Sequence, residues 1–256
     1  MSSISKSLID RCGQEIIRTI SQALQCSCSF NLLPLDERDK VLNDSSVAYL
    51  GARIMIHTHL TNAPFTKVHF ENGLEEALNL AASPNERPAT LAAIGNPGND
   101  ITINGERYSL KTQAGKGTKF DSIHISKWME LGKNPNWNDD ESVLSELGEE
   151  FIAHLNGYER TLVLRYLPGE KANSVHQHYY ELVEIPKNLL LMSRNGRLEM
   201  RHKSTQNPKP GYCYVEDEDG NSLFSLYFDG GGERKLQIKN IRKSSCLVHA
   251  TWEFDV

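Results

Sequence analysis

The residues with the clearest chemical potential lie in one short stretch, at residues 100–111. It begins with Asp100, ends with Lys111, and contains Asn104-Gly105 between two runs in which apolar and polar residues alternate. An Asn-Gly pair flanked by such runs is the strongest short hairpin signal in a sequence. The stretch therefore predicts two antiparallel strands joined by a two-residue turn.

The register of this hairpin decides which side chains share a face. With Asn104-Gly105 as the turn, Asp100 lies opposite Ser109, and directly opposed residues project to the same side of a sheet. Asp100 and Lys111 then become diagonal neighbours about 7 Å apart on the polar face. The other face is apolar and consists of Ile101, Ile103, Tyr108 and Leu110. An acid and a lysine in this arrangement suit metal-dependent cleavage of a phosphodiester.

The order of an acid, a strand, a turn and a second strand ending in Leu110-Lys111 resembles the core of PD-(D/E)XK nucleases. In that family acids hold Mg²⁺ and a lysine serves the attacking water. The resemblance implies Asp100 as the main Mg²⁺ ligand, the Leu110 carbonyl as a further oxygen, and Lys111 as the group that orients the water. Gln113, two residues further on the same face, is a candidate to position that water or a ligand. The chain departs from the family at Ser109, where a Glu or Asp is usual.

A second carboxylate must therefore come from elsewhere in the chain. Glu71 opens an apolar-periodic segment that predicts a helix beside the hairpin, and nucleases of this family commonly carry such a helix-borne Glu. Glu75 and Glu76 compete for the role, and an acid at this end of a helix also interacts favourably with the helix dipole. We expect Glu71 to join Asp100 as a catalytic residue and metal ligand.

Further segments are similar, in order from about residue 70 onwards, to the SmaI-type family of type II restriction endonucleases. They are residues 96–98, 100–103, 110–112, 126–133, 158–160, 182–187, 208–212, 224–231 and 233–239. Residues 1–60 resemble the family poorly. The resemblance implies a homodimeric, Mg²⁺-dependent endonuclease that cuts double-stranded DNA at a G·C-rich palindrome. The expected site is CCCGGG, cut to blunt ends with 5′-phosphates. A cognate DNA methyltransferase is implied as the system partner, because a free restriction enzyme would cut its host.

Candidate DNA contacts are cationic and amide side chains close to predicted turns, because guanine O6 and N7 are best met by Arg or Lys. They are Lys127, Lys209, Arg234, Lys235, Gln237 and Lys239. A net charge of −5 argues against non-specific affinity for nucleic acid, so binding must rest on locally concentrated cations. Residues 233–243 provide such a concentration, whereas residues 139–150 are acidic. The competing interpretation of the basic run is a solvated strand edge protected against aggregation.

The elements that must position these residues can be read from periodicity and turn signals. Predicted helices cover residues 4–24, 71–83, 127–131, 143–155 and 188–192. Predicted strands, besides the hairpin, cover residues 120–126, 160–166, 179–185, 212–216, 223–228, 235–241 and 246–254.

Length and composition bound the fold. A chain of 256 residues with 39% hydrophobic and 24% charged residues fits one sizeable globular domain. We expect an α/β fold with a PD-(D/E)XK-type nuclease core, a mixed β-sheet flanked by helices, and an antiparallel β-rich C-terminal region. The expected organisation is a single endonuclease domain over residues 1–256, with a helical and catalytic core at 1–170 and a β-rich DNA-recognition portion at 171–256. The boundary between these portions is soft.

Cellular location is expected from the same sequence. The first residues lack the features of a signal peptide, and no uncharged apolar run approaches about 18 residues. We therefore expect a soluble, cytoplasmic protein that does not contact the membrane. The five cysteines do not form a spacing typical of a disulfide framework or a zinc site.

Two other functions stay open at this point. One is a repair or nicking nuclease of the same fold, which single-strand nicking with loose sequence preference would support. The other is a DNA-binding module or regulator that has lost catalysis, because Ser109 replaces a usual metal ligand. Binding that persists without any cutting in Mg²⁺ would favour this last interpretation.

Overall fold

The computed structural model describes residues 6–61, 63–93, 98–132, 137, 141–231 and 233–256. Four predicted features fall partly outside this range. They are the helix at residues 4–24, the similar segments at 96–98 and 126–133, and the acidic run at 139–150.

Helices lie mainly in the first part of the described chain. They are α1 (Lys6–Ala23), α2 (Asp44–Leu60), α3 (Lys67–Leu80), α4 (Glu141–Leu155), α5 (Gly169–Ala172) and α6 (Lys187–Leu191). Helix α2 begins with a capping box, in which the Asn43 side chain accepts from the Ser46 amide at 2.9 Å and the Ser46 hydroxyl accepts from the Asn43 amide at 2.9 Å.

The strands form two sheets. They are β1 (Cys28–Leu32), β2 (Ala89–Leu91), β3 (Ile101–Ile103), β4 (Glu106–Gln113), β5 (Ser122–Glu130), β6 (Arg160–Pro168), β7 (His178–Glu184), β8 (Arg197–Met200), β9 (Gly211–Glu216), β10 (Ser222–Asp229), β11 (Lys235–Arg242) and β12 (Leu247–Phe254). The first sheet has seven strands in the order β1-β12-β7-β6-β4-β3-β2, and the second has five in the order β5-β11-β10-β9-β8. Among these described strands, β4 and β6 form the one parallel pair.

The predicted hairpin is confirmed as β3 and β4. Ile101 lies opposite Tyr108 and Ile103 opposite Glu106, which is the register that a two-residue turn requires. The turn residues Asn104 and Gly105 have φ angles of 50° and 85°, a left-handed conformation that Asn tolerates and Gly adopts freely.

The seven-stranded sheet is covered on both faces. Helices α2 and α3 pack on one face, where the apolar side of the hairpin lies in a common core with Leu50, Phe70 and Leu74. On the other face, Val163 and Val183 belong to a second core built from α4 and the inner face of the five-stranded sheet. The structure is therefore a mixed α/β fold, as the sequence predicted.

A buried ion pair in the seven-stranded sheet is linked by hydrogen bonds to the start of β5. Arg165 of β6 and Glu181 of β7 are both completely buried, and the Arg165 guanidinium pairs with the Glu181 carboxylate. The same guanidinium donates to the carbonyl of Ser122 at 2.9 Å, and Lys243 donates to Glu181 at 2.6 Å. These hydrogen bonds satisfy the buried charges and fix the two sheets to each other.

Several predicted elements differ from the structure. The helix predicted at residues 127–131 is wrong, because β5 continues as a strand to Glu130 and pairs there with β11. Helix α2 was not predicted, because residues on more than one of its faces are buried and the helix lacks a simple amphipathic repeat. Strands β7 and β12 belong to the seven-stranded sheet whereas β5 belongs to the five-stranded sheet, so a division near residue 170 does not separate the two sheets.

In the described part of the chain, no helix combines the length and apolar character needed to cross a membrane.

The packing of α2 against the seven-stranded sheet can be tested at Gly51. A Cβ at this position would lie 2.6 Å from a Phe30 ring atom and closer still to Trp252. Gly51→Ala is therefore expected to lower the free energy of unfolding by about 1–3 kcal/mol, measured by urea denaturation. The control is Gly148→Ala on α4, where nothing lies within 4 Å of the added Cβ and alanine favours the helix by up to about 1 kcal/mol. Equal stability of the two variants would contradict the close approach of α2.

Candidate active site

Asp100 lies where the pairing of β3 with β4 ends. Its own amide donates to the Tyr108 carbonyl at 2.8 Å. Its side-chain Oδ2 accepts from the Leu110 amide at 2.6 Å and from the Ser109 hydroxyl at 3.2 Å. The carboxylate thus replaces the backbone partner that β3 no longer provides, and the backbone of β4 fixes its direction.

Glu71 is brought to Asp100 through Lys67. The Lys67 ammonium lies 2.7 Å from Asp100 Oδ1 and 3.0 Å from Glu71 Oε1. Glu71 is one helical turn after Lys67 on α3, which is the spacing at which two helical side chains meet. Two carboxylates from different elements therefore converge on one cation.

The competing acids on α3 face other partners. Glu75 accepts from the Leu91 amide at 3.3 Å. Glu76 accepts from the Tyr49 hydroxyl at 2.9 Å and pairs with Arg53. Of these three acids on α3, Glu71 is the one that shares a cation with Asp100.

Lys111 projects toward the second sheet. Its ammonium lies 5.5 Å from the centre of the Trp128 ring, within the range of a cation–π interaction. Burial lowers the pKa of Lys111, the negative charge of Asp100 partly opposes this, and the result is a pKa of about 8. Some of the Lys111 amine is therefore unprotonated near neutral pH and can accept a proton.

The charge of Asp100 is stabilised by the same environment. Burial alone would raise the pKa of Asp100, but Lys111, Lys67 and the Leu110 amide outweigh burial and hold the pKa below its ordinary value. Asp100 is accordingly a carboxylate at neutral pH, the form in which it can bind a cation.

Sequence reasoning missed a supporting layer beneath Lys111. The Trp128 indole N–H donates to the hydroxyl of the buried Tyr158 at 3.0 Å. His154 contacts Tyr158 ring to edge, and its pKa is lowered by burial and then by the charge of Lys111. His154 and Tyr158 are far from the hairpin in sequence, and the signals that pointed to this region were two segments of the resemblance, residues 126–133 with Trp128 and residues 158–160 with Tyr158.

The donor set suits Mg²⁺. Asp100 and Glu71 offer hard oxygen ligands that already converge on one positive charge, and Mg²⁺ commonly binds through one or two carboxylates while it keeps several waters. Within the described ranges, no group of three or more His, Cys, Asp or Glu residues is close enough to hold a metal ion. A third protein ligand among these residues would be an oxygen of another kind, and the Leu110 carbonyl stays the predicted one.

The side chain of Gln113 is buried. Its side-chain oxygen accepts from Arg165 Nε at 2.9 Å, next to the ion pair that joins the sheets. The water-positioning role of Gln113 stays a prediction, and the contact seen in the structure is with Arg165.

Three of the predicted DNA contacts lie together on the outer face of β11. Lys239 donates to the Tyr212 hydroxyl at 3.3 Å and lies 3.5 Å from the centre of the Tyr227 ring. Gln237 donates to Asp229 at 3.3 Å, and Lys235 pairs with Glu233. The three alternate with apolar residues that point into the core. They form one polar row on the five-stranded sheet.

The remaining predicted DNA contacts are more dispersed. Arg234 lies directly before β11 and has a φ of 37°. Its guanidinium lies 6.0 Å from the centre of the Trp137 ring. The Trp137 indole donates to the Lys209 carbonyl at 3.0 Å, so Trp137 brings Arg234 and the Lys209 segment together. Lys127 lies on β5 and pairs with Glu130.

A small cavity lies between the end of β4 and β5. It has a volume of about 240 Å³, and its polar lining includes Thr112 and Gln113 of β4, Thr118, and His124 and Ser126 of β5. Burial lowers the pKa of His124, and the positive charge of Lys239 lowers it further. The cavity therefore lies beside the end of β4, and His124 on its wall is close enough to Lys239 to be affected by its charge.

Comparisons with known proteins cover nearly the whole chain. A family model described as SmaI, type II site-specific deoxyribonuclease, matches residues 3–254. The type II restriction enzyme SmaI of Serratia marcescens is 43% identical over 214 residues, which cover 84% of this chain and 81% of that protein. No solved structure matches the chain. The family match includes the hairpin, Glu71 and β11.

The electrostatics of the site can be tested by titration of metal-free protein. We expect Lys111 to titrate with a pKa of about 8, observed by NMR of its labelled side chain. Asp100→Asn removes a negative charge that raises this pKa, so the pKa of Lys111 should fall further. Lys127, whose pKa is raised by Glu130, is an internal control that stays protonated through the same range. A pKa of Lys111 in the ordinary lysine range would contradict its burial beside Trp128.

Proposed function

Because this chain belongs to the SmaI family of type II site-specific deoxyribonucleases, we propose that it cuts both strands of DNA at CCCGGG, with Mg²⁺, to leave blunt ends with 5′-phosphates. It is a restriction endonuclease by that membership. The observation that carries the catalytic part of the proposal is the convergence of Asp100 and Glu71 on one cation beside Lys111.

We assign Asp100 and Glu71 as the acidic ligands of Mg²⁺, with the Leu110 carbonyl as a further oxygen. When bound, Mg²⁺ supplies Lewis-acid stabilisation of the charge that develops on the scissile phosphate. Asp100 keeps its direction through the Leu110 amide, and Glu71 is positioned by α3. Ser109 supports Asp100 by a hydrogen bond instead of supplying the carboxylate usual at its position.

Lys111 is assigned to the attacking water. Its pKa of about 8 lets the amine accept a proton near neutral pH, and the protonated form stabilises negative charge on the phosphate. Trp128 restricts the direction of the Lys111 side chain through the cation–π contact.

The polar row on β11 is assigned to DNA. Lys239, Gln237 and Lys235, with Arg234 at the adjacent turn, present the donors that guanine O6 and N7 accept. His124 on β5 lies near both Lys239 and the end of β4, and we propose that one stretch of DNA contacts both the polar row and the site at Lys111. Lys209 and Lys127 are proposed as further contacts.

The assembly and setting follow from the target. A palindrome is matched by a two-fold symmetric homodimer in which each subunit cuts one strand. We propose a PD-(D/E)XK-type core within a single domain, action in the cytoplasm where the DNA lies, and a methyltransferase that protects the host site.

Cleavage of a plasmid with one CCCGGG site tests the catalytic assignment. The purified protein in Mg²⁺ is expected to linearise the plasmid with blunt ends, as read by sequencing the termini. Asp100→Ala and Glu71→Gln should each reduce the rate by at least about 100-fold, since each removes a group that stabilises the transition state.

The matched control for the cleavage test is Glu76→Gln, which neutralises an acid on the same helix whose partners are Tyr49 and Arg53. It should cut at nearly the normal rate. Full activity of Glu71→Gln would remove Glu71 from the site, and cutting at another sequence would overturn the CCCGGG target. Nicking of one strand, or specific binding without any cutting, would favour the repair nuclease or the binding module.

Affinity for DNA tests the role of β11. Lys239→Ala is expected to weaken binding to a CCCGGG duplex about tenfold in Ca²⁺. It should also reduce the slope of log affinity against log salt concentration by about 1. Lys40→Ala is the control, because it removes the same charge from an exposed pair with Glu37. Fluorescence anisotropy at several salt concentrations measures both quantities. If the two variants bind equally well, β11 is not part of the interface.

A further inference from the structure

Lys67 occupies a position where its charge is locally unfavourable. It is the first residue of α3, directly after the N-cap residue Thr66. The N-terminus of a helix carries a partial positive charge, which favours acidic rather than basic residues in the first turn. A residue that breaks a local rule in this way commonly serves a functional site.

The compensation for Lys67 comes from the two catalytic carboxylates. Its ammonium contacts Asp100 at 2.7 Å and Glu71 at 3.0 Å, and the contact to Asp100 spans two separate elements. Without a cation between them, the two negative charges would repel each other at close range. Lys67 therefore neutralises the pair in the absence of any other cation.

We propose that Lys67 is an internal counter-ion that holds Asp100 and Glu71 together in the metal-free enzyme and is displaced from them when a divalent cation binds. This inference rests on the proposed function, because it takes these two acids as the metal ligands. It assigns Lys67 a positioning role that the family resemblance did not indicate.

The structure allows such a displacement. The side chain of Lys67 is 42% exposed, whereas those of Asp100 and Glu71 are each 21% exposed, so the ammonium approaches from the solvent side. A lysine ammonium is a compact, strongly hydrated charge on a flexible stem, which can return to water. Asp100 Oδ2 keeps the Leu110 amide and the Ser109 hydroxyl, and these contacts preserve its direction after Lys67 leaves.

Lys111 does not duplicate this role. Its ammonium lies over the Trp128 ring and acts on Asp100 through its charge. The two lysines thus differ in position around Asp100. Lys67 lies between the two acids, and Lys111 lies on the side proposed for the attacking water.

The consequence is a competition that can be measured. Because binding free energies are reciprocal, a contact that stabilises the metal-free site must weaken metal binding by the same factor. Removal of the Lys67 charge should tighten the binding of Ca²⁺, used as a non-cleaving probe, by about 5- to 150-fold, the usual range of coupling between two sites.

The experiment measures the Kd of Ca²⁺ for the DNA-free protein by titration calorimetry. Lys67→Met and Lys67→Gln are both expected to bind Ca²⁺ more tightly than the unchanged protein, and Lys67→Arg is expected to bind it about as weakly. Lys40→Met is the matched control for net charge, because Lys40 pairs with Glu37 away from the site. It should leave the Kd unchanged.

Thermal unfolding gives an independent readout. Both neutral Lys67 variants should have a lower Tm than the unchanged protein without metal, and they should show a larger rise in Tm at the same Ca²⁺ concentration. If Lys67→Met does not fold without metal, Lys67→Gln and Lys67→Arg still provide the comparison.

The outcomes separate this inference from the proposed function. Loss of Ca²⁺ binding in Glu71→Gln together with an unchanged Kd in both neutral Lys67 variants overturns the counter-ion and keeps the metal site. Equal Ca²⁺ binding by the unchanged protein and Glu71→Gln overturns the metal site itself, and the counter-ion with it. Tighter binding in the neutral Lys67 variants that Glu71→Gln abolishes supports both.

Discussion

The hydrogen bond from the Leu110 amide to the Asp100 carboxylate is the constraint on which the site depends. The pairing of β3 with β4 stops at Ile101, the residue after Asp100. Strand β4 continues past this point, so the Leu110 amide has no partner on β3. A buried amide must find an acceptor, and the carboxylate provides it. The direction of the Asp100 carboxylate is thereby set by the backbone of β4. Lys111, Trp128 and Glu71 are then arranged around a charge whose position is fixed, so the proposed metal ligand would need little rearrangement to bind a cation.

The site also depends on the contact between two sheets. Strand β4 provides Asp100 with its partner on one edge and pairs with β6 on the other, whereas the ring below Lys111 comes from β5 in the second sheet. The buried Arg165–Glu181 pair lies within the seven-stranded sheet, and the Arg165 guanidinium also donates to the Ser122 carbonyl at the start of β5 in the other sheet. A buried pair of this kind adds little net stability but strongly disfavours arrangements that leave one charge unpaired. It therefore restricts how far β5 can move relative to β6 and β7.

Local signals predicted the centre of the site, and long-range packing determined the rest. The Asn104-Gly105 turn fixes the register of its hairpin, so the shared face of Asp100 and Lys111 could be predicted from neighbouring residues. Glu71 could be proposed from a helical repeat, but only tertiary contacts distinguish it from Glu75 and Glu76. The contact of Lys67 with Asp100 and that of Trp128 with Lys111 could not be predicted, because in each case the partner lies more than 15 residues away. Helix α2 was missed since burial on several sides removes the amphipathic pattern. The same limit explains why alternation identified most C-terminal strands but not the sheet to which each belongs.

The pairing of β1 with β12 has a consequence for how the protein reaches its folded state. Residues 28–32 pair with residues 250–254, and Trp252 from β12 donates to the Val47 carbonyl on α2. Contacts between such distant segments slow folding, because a long loop must close before they form. Until β12 arrives between β1 and β7, both neighbours present unpaired edges to other chains. The core that the hairpin shares with α2 is thus complete only after these distant segments of the chain have paired.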